Sequence, residues 1–305
     1  MKNFIKIALL VSIIGPFFIN NKLYAQSFYR MKLGDFEVVA LLDGAVPQNL
    51  DQLLKGTKPG AISKMMAKHS QTAIMNCSVN AYLINTGDKL VLIDAGTGDA
   101  YGPSLGHLTE GLRKAGYQPG QINAVLLTHT HMDHIGGLMT GDKLTFPNAQ
   151  IYLSKAEGDY YLNPTNREKA PEAMKRFFDG AAQKLNPIIK AGKLTTFEFG
   201  KELFPGITPI ASFGHSAGHT FYAVKSKGEK MLFWGDIILS DIIQFANPTV
   251  TSVYDYNELN GTSTREKALK EAAKEHYWIA VAHIDFPGIG HLVKADTGYR
   301  FVAVN

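Results

Sequence analysis

The sequence predicts a single α/β domain in which sheets and helices pack as layers. Strand-like, helical and strand-like runs follow one another between residues 79 and 127, which is the order of a layered α/β fold. Of the 305 residues, 45% are hydrophobic, enough for one large core, and no repeat or Gly/Ser-rich linker divides the chain. Histidines and aspartates follow several predicted strands directly, so a functional site is expected at one sheet edge.

The first 25 residues have the pattern of a signal peptide. Residues 1–6 are basic, and residues 7–19 form an apolar run that is shorter than the ~20 residues needed to span a bilayer. Ala25 is a small residue at the expected cleavage point. We therefore expect a signal peptide over 1–25, a single periplasmic or secreted domain over 26–305, and no stable membrane association once the peptide is removed. The alternative is a retained N-terminal anchor.

Charge and cysteine content narrow the class of partner. The formal charge is +4, but Lys2, Lys6 and Lys22 precede the cleavage point with no acid among them, which leaves +1 for the mature domain. No basic stripe with interleaved aromatic residues follows, so no nucleic-acid partner is expected. Cys77 is the only cysteine, which rules out an intramolecular disulfide and indicates a small buried side chain.

The first half of the chain alternates strands with one helix. Leu105, Leu108 and Leu112 recur at helical spacing. The runs that predict strands are Phe36–Leu42, Val79–Asn85, Leu90–Ile93 and Ile122–Leu127.

The second half begins with a helical stretch over residues 166–190, which Pro171 and Pro187 are expected to interrupt. Its apolar stripe either packs on the core or forms a lid. Residues 221–234 predict a hairpin that ends at Asp236. A capping box at Ser263 and Glu266 predicts a helix to about His276, and a strand over 279–282 leads to His283.

The run His129-Thr130-His131-Met132-Asp133-His134 carries the strongest indication of chemistry. Histidines two apart in an extended segment point to the same side, so His129 and His131 could bind one ion. Asp133 and His134 follow one turn later and could bind a second. Imidazole and carboxylate are the ligands that zinc takes when thiolate is absent, so the run predicts a two-metal site.

The pattern His-x-His-x-Asp-His resembles the signature of metallo-β-lactamase-superfamily hydrolases. The resemblance spans residues 34–291 and implies a four-layer αββα sandwich with its site at one edge. Further elements of the family occur in order: Asp94 resembles its early aspartate that orients the ligands, His219 its next ligand, Asp236 its bridging carboxylate and His283 its last ligand.

The resemblance implies two Zn²⁺ per chain and a catalytic mechanism. One ion would take His129, His131 and His219, the other would take Asp133, His134 and His283, and Asp236 would bridge them. A bridging hydroxide would attack the substrate, and Asp133 would also pass a proton to the leaving oxygen. Manganese, iron or cobalt could use the same ligands. His215 and His291 are open between orienting a ligand and a structural role.

Two segments, Leu33–Gly44 and His283–His291, resemble the branch of N-acyl-homoserine lactonases and methyl parathion hydrolase. We therefore predict a lactonase that opens N-acyl-homoserine lactones, with an organophosphate triesterase and, less favoured, a β-lactamase as alternatives. A small ester or lactone substrate and a possible homodimer follow from the resemblance. Many such lactonases have tyrosine where this chain has Leu239. The residues expected to line an acyl-chain pocket are Met132, Met139, Phe178, Phe245 and Phe286.

Overall fold

The computed structural model describes residues 27–304, so the predicted signal peptide lies outside the described residues. Strands make up two large sheets and two small ribbons. The strands are β1 (Phe28–Leu33), β2 (Phe36–Asn49), β3 (Leu54–Lys55), β4 (Ile74–Asn85), β5 (Leu90–Ile93), β6 (Ala124–Leu126), β7 (Met139–Thr140), β8 (Lys143–Leu144), β9 (Gln150–Ser154), β10 (Leu194–Phe197), β11 (Ile207–Ala211), β12 (Thr220–Ser226), β13 (Glu229–Phe233), β14 (Thr251–Ser252), β15 (Trp278–Ala280), β16 (Ile289–Lys294) and β17 (Tyr299–Ala303).

The helices cover the outer faces of the sheets and the edge at which the ligand residues lie. They are α1 (Leu50–Leu53), α2 (Ala61–Lys68), α3 (Leu108–Lys114), α4 (Met132–Ile135), α5 (Lys155–Tyr161), α6 (Pro164–Lys169), α7 (Glu172–Lys190), α8 (Asp241–Gln244) and α9 (Glu258–Glu275), with 3-10 turns at Pro119–Gln121 and Gly136–Leu138. Among residues 27–304, no helix combines the length and apolar character that crossing a bilayer requires.

Two sheets pack face to face between helices. The first has the order β1-β2-β4-β5-β6-β9-β10, antiparallel as far as β5 and parallel beyond it. The second has the order β11-β12-β13-β15-β16-β17, in which only β13 and β15 are parallel. Helices α3 and α7 cover the first sheet and α9 covers the second, which confirms the predicted four-layer αββα sandwich.

Strand alternation explains why one sequence can fill three apolar layers. Val39 and Leu41 of β2 face the helices, whereas Val38 and Ala40 face the second sheet. Tyr222 of β12 points back into the same inter-sheet core. Side chains alternate between the two faces of a strand, so near-continuous apolar runs are required in strands that are buried on both sides.

Two details of the predicted elements are wrong. Helix α9 begins at Glu258, five residues before the predicted capping box, because the Asn257 side chain caps it by accepting a hydrogen bond from Asn260 N at 3.0 Å. Helix α7 continues through Pro187, although proline cannot donate the hydrogen bond of an internal turn. Packing explains why it continues, since Leu185 and Ile188 on either side are buried against the first sheet.

Candidate dinuclear metal centre

Four loops bring the predicted ligands to one edge of the sandwich. His129 follows β6, and the segment continues through His131 into helix α4. The loop between β11 and β12 carries His215, Asp236 follows β13 and His283 follows β15. Because β6, β13 and β15 all end at this edge, residues more than 150 positions apart meet there.

The close approach of the chain at this edge requires glycine before the central aspartate. Gly235 has a φ of 48°, and a Cβ there would lie 2.7 Å from His219 Nε2 and 3.0 Å from Thr128 Cβ. Any other side chain would therefore displace a ligand-bearing loop.

The ligand atoms fall into two sets that share Asp236. The first set is His129, His131, His215 and Asp236, and the second is Asp133, His134, His283 and Asp236; within each set the candidate atoms lie within 4.8 Å of one another. Asp236 Oδ1 is 3.0 Å from His134 Nε2, and its Oδ2 is 3.0 Å from His283 Nε2 and 3.4 Å from His215 Nε2. This is the geometry expected of a carboxylate that bridges two ions.

The first set differs from the predicted one in a single histidine: grouping by distance gives His215, whereas the resemblance implied His219. His215 Nε2 is 3.1 Å from His131 Nδ1. His219 also turns a ring nitrogen toward the centre, because its Nδ1 lies 2.8 Å from Ser212 Oγ and its Nε2 accepts from Asp236 N at 3.2 Å. The ligand role of His219 stays a prediction. His291 lies outside both sets, stacked on Trp278 with a ring-centroid distance of 3.8 Å.

Most of these imidazoles are oriented through the nitrogen that faces away from the centre. His134 Nδ1 lies 2.8 Å from Asp94 Oδ2, and His283 Nδ1 lies 2.8 Å from the carbonyl oxygen of Ser78. Asp94 adopts a left-handed φ of 60° and also accepts from Thr128 N at 2.8 Å. This is the orienting role that the resemblance implied for Asp94, and it leaves Nε2 of both histidines facing Asp236.

Glu157 is a site residue that the sequence reasoning missed. Its buried carboxylate accepts from Thr130 N at 2.9 Å, from Ser216 Oγ at 2.8 Å and from Gly218 N at 2.6 Å. It therefore joins the His129–His131 segment to the loop that carries His215. The pattern Ser154-Lys155-Ala156-Glu157 is a capping box by sequence, but here the glutamate contacts two distant loops.

The two sets differ in protonation in the metal-free protein. Burial lowers the pKa of His129 well below its ordinary value, and burial together with His215 lowers the pKa of His131 to about 3. Burial also opposes charge on His134 and His283, but the Asp236 carboxylate outweighs it and raises the pKa of both. The first set therefore offers neutral imidazoles, whereas the second holds protons that a cation would replace.

Unpartnered buried atoms indicate that this donor set fits metal ions. Within residues 27–304, two buried ring nitrogens at this centre have no hydrogen-bond partner, Nε2 of His129 and Nε2 of His131. His134 Nε2 and Asp236 Oδ1 have only each other within hydrogen-bond distance, at 3.0 Å. Buried polar atoms are rarely left unpaired in folded proteins. Imidazole nitrogens and a carboxylate are also the ligands that zinc takes.

The centre lies at the base of a cavity of about 860 Å³. His131, Asp133, Asp236 and His283 line its base. The cavity is also lined by Met132, Phe177, Tyr101, Tyr254, Leu239 and Cys77.

The predicted acyl-pocket residues are mostly not in this cavity. Met132 lines it, but Met139, Phe178 and Phe245 are buried in the hydrophobic core, and Phe286 packs against the inter-sheet core. Phe177 lines the cavity instead, because one residue along α7 rotates a side chain by about 100°. The predicted helix over 166–190 thus packs on the core with one face and borders the cavity with another.

Comparison with known proteins agrees with this architecture. The family model described as "Metallo-beta-lactamase superfamily" matches residues 74–283. A hydrolase of the beta-lactamase superfamily, AbOPH, is 32% identical, with a TM-score of 0.87 over 92% of this chain and 98% of that one. AidC, a dizinc quorum-quenching lactonase solved with a product, N-hexanoyl-L-homoserine, is 27% identical, with a TM-score of 0.85 over 92% and 98% of the two chains.

The match to curated sequences is more partial. A ribonuclease from Thermus thermophilus, TTHA0252, is 25% identical over 185 residues, which are 60% of this chain and 40% of that protein. The chain spans about half the length of the curated relatives it matches most strongly.

Proposed function

Because the chain belongs to the metallo-beta-lactamase superfamily, we propose that it is a dizinc hydrolase that opens the lactone ring of N-acyl-homoserine lactones. The observation that carries the proposal is the pair of ligand sets joined by Asp236 at the base of a cavity. Similarity to AidC over nearly its whole length supports the choice of a lactone. The ribonuclease likeness covers less than half of that protein, so it carries less weight.

Each set supplies four ligand residues, counting Asp236 in both. Two ions held by these residues would supply an activated water as nucleophile and would polarise the substrate carbonyl. The chain's own part is to fix the ligands: Asp94 and Ser78 hold His134 and His283, and Glu157 holds the two loops of the first set.

We assign the proton transfer to Asp133. It lines the cavity, and its Oδ2 is 3.3 Å from His283 Nε2 and 3.6 Å from His134 Nε2. Although burial raises its pKa, His134 and His283 outweigh that effect and lower the pKa to about 2. Asp133 is therefore an ionised carboxylate at neutral pH, able to accept a proton at Oδ2 and to pass it to the leaving alkoxide oxygen.

The cavity also offers hydroxyl donors that replace the tyrosine missing at Leu239. Tyr101 and Tyr254 line the same cavity as Leu239. The ordinary pKa of a tyrosine phenol is about 10, so Tyr101 is protonated at neutral pH and can donate to a substrate oxygen. Phe177 and Met132 supply apolar wall for an acyl chain.

The same aromatic wall would accept an aryl phosphotriester, which makes the triesterase the second candidate. The test is kcat/KM for hexanoyl- and decanoyl-homoserine lactone and for methyl paraoxon on one zinc-loaded preparation, repeated after chelator treatment and after zinc add-back. We expect lactone preference and loss of activity without metal. A tenfold or greater preference for the phosphotriester would replace the substrate assignment, and full lactonase activity in metal-free protein would overturn the mechanism.

We also propose that the protein is exported. The support is the basic and apolar pattern of residues 1–25. Intact-mass measurement of the protein from the culture medium and the periplasm should give a chain that begins at Gln26. A cell-bound chain that still begins at Met1 would contradict export.

A further inference from the structure

Two buried tyrosines cross the core between the two sheets in opposite directions. Tyr82 lies on β4 of the first sheet and Tyr222 on β12 of the second, and both pack in the same inter-sheet core. The hydroxyl of Tyr82 donates to Val281 O and that of Tyr222 donates to Leu127 O, each at 2.8 Å. A carbonyl oxygen can only accept, so both phenols act as donors. Each tyrosine therefore holds the backbone of the sheet opposite its own.

The two carbonyls occupy equivalent places in the chain. Val281 is the first residue after β15, and Leu127 is the first residue after β6. In each case a predicted ligand follows two residues later, His283 in the first case and His129 in the second. Each tyrosine thus fixes the chain at the point where it leaves a strand and enters the metal centre.

A second side chain of β4 strengthens the contact beside Val281. Asn80 is buried and lies on the same strand face as Tyr82, and its Nδ2 donates to Val281 O at 3.2 Å and to Ile284 O at 2.9 Å. The loop packs closely on both side chains, because a Cβ at Gly288 would lie 2.5 Å from Tyr82 Oη and 2.8 Å from Asn80 Nδ2. The loop that carries the last predicted ligand is therefore fixed from the opposite sheet.

We propose that Tyr82 and Tyr222 are positioning residues that act on opposite halves of the metal centre, Tyr82 on the ion that takes His283 and Tyr222 on the ion that takes His129. The inference rests on the proposed metal centre. Each ion would take ligands from both sheets, so its geometry depends on how the strand ends of the two sheets are held relative to each other. Neither tyrosine lines the cavity, so neither is placed to touch a substrate.

The expected effect is smaller than that of a group in contact with a ligand. A partner that contacts a metal-binding side chain directly typically contributes about 10–100-fold to metal affinity. The two tyrosines act one step farther away, through the backbone two residues before the ligand. We therefore expect the loss of either hydroxyl to weaken its own ion by about 3–10-fold.

The test compares Tyr82→Phe and Tyr222→Phe, each of which removes one hydroxyl and keeps the ring. The probe is ¹¹³Cd²⁺, because the loaded protein should give one ¹¹³Cd resonance per ion, and couplings to the ring protons of His129 and His283 assign the two. The loss of each resonance during a chelator titration gives the affinity of each ion. We expect Tyr82→Phe to weaken only the ion at His283 and Tyr222→Phe only the ion at His129, with the other ion within about twofold.

Tyr117→Phe is the matched control. Its hydroxyl donates to Glu37 Oε1 at 2.6 Å and accepts from Asn85 Nδ2 at 3.0 Å. Asn85 pairs with Leu90, at the end of β5 away from the metal centre. Loss of a hydrogen bond should lower the urea midpoint of all three variants, whereas the control should leave both cadmium affinities within about twofold, since distant sites act independently. A structural role alone would make the two test variants behave like the control.

Each tyrosine is judged by its own ion. Unchanged affinities in a folded variant, weakening of the other ion, or equal weakening of both ions would overturn the role of that tyrosine. If one variant fails to fold, the other decides; if both fail, Asn80→Ala, which removes the amide donor to the Val281 and Ile284 carbonyls, must weaken only the ion at His283. A wild type that binds no divalent ion would overturn the metal centre as well, whereas two bound ions that neither substitution affects would overturn only this inference.

Discussion

His215 and His219 provide a matched pair of substitutions that separates a metal ligand from a structural histidine. They lie four residues apart on one loop, and both are buried. Alanine removes the imidazole in each case. The metal should be lost from His219→Ala, because the resemblance implies His219 as the ligand and its Nε2 lies beside Asp236, 3.2 Å from the Asp236 N atom. His215 is instead held between Asp255 Oδ1 and His131 Nδ1.

The expected magnitudes follow from the contacts. An orienting partner alone is worth about 10–100-fold in affinity, so loss of the ligand His219 should exceed about 100-fold, or about 2.7 kcal/mol. His215→Ala instead removes the contacts to Asp255 Oδ1 and His131 Nδ1. Each buried partner left unpaired costs about 1–3 kcal/mol, so the free energy of unfolding should fall by about 2–6 kcal/mol. Its zinc affinity should fall less than about tenfold, because Asp236 keeps its other contacts.

The assay is zinc per chain after gel filtration in metal-depleted buffer, with chelator competition for the affinities and urea unfolding of the metal-free proteins for stability. His219→Ala should retain about one zinc and His215→Ala two. One zinc in His215→Ala together with two in His219→Ala would refute the assignment of His219 and put His215 in its place.

Three other perturbations test separate parts of the site. Asp236→Asn should lose both ions, because its two oxygens face different sets, and two zincs per chain after dialysis would contradict the bridging role. Glu157→Gln places an amide N–H donor against the N–H donor of either Gly218 or Thr130. The free energy of unfolding measured in urea should therefore fall by about 1–3 kcal/mol. A decrease below about 0.5 kcal/mol would show that the carboxylate does not hold the two loops together. Burial raises the pKa of Cys77 to about 11, so at pH 8 the fraction of thiolate in the folded protein is about 100-fold below that in the unfolded chain. Iodoacetamide should therefore alkylate Cys77 about 100-fold more slowly in the folded protein. Equal rates in the folded and unfolded protein would show that the thiol is solvated.

The sequence was sufficient where the geometry is local or repetitive. The prediction of a strand over Leu90–Ile93 was correct, because a strand that is buried on both faces has a recognisable run of apolar residues. The run from His129 to His134 lies in one short segment, so its spacing alone predicted the division of its ligands. His129 and His131 fall in one set, and Asp133 and His134 fall in the other. Asp236 and His283 were identified through the family resemblance, and each directly follows a strand that ends at this edge.

The sequence was insufficient where a side chain's direction depends on distant contacts. Phe177 and Phe178 are adjacent on α7, and only packing of the helix decides that Phe177 borders the cavity while Phe178 is buried. The start of α9 was misplaced because two capping patterns compete within one segment, and the fold uses Asn257.

The surroundings of His215 and His219 have the same cause. The family resemblance assigned a metal-binding imidazole to the segment Gly214–His219, which lies between β11 and β12 of the second sheet. Only the tertiary structure decided how each ring is held. Glu157 fixes the backbone at Gly218, Ser212 engages His219, and Asp255 faces His215, and none of these contacts is encoded in the spacing of the two histidines, because they join residues far apart in the sequence.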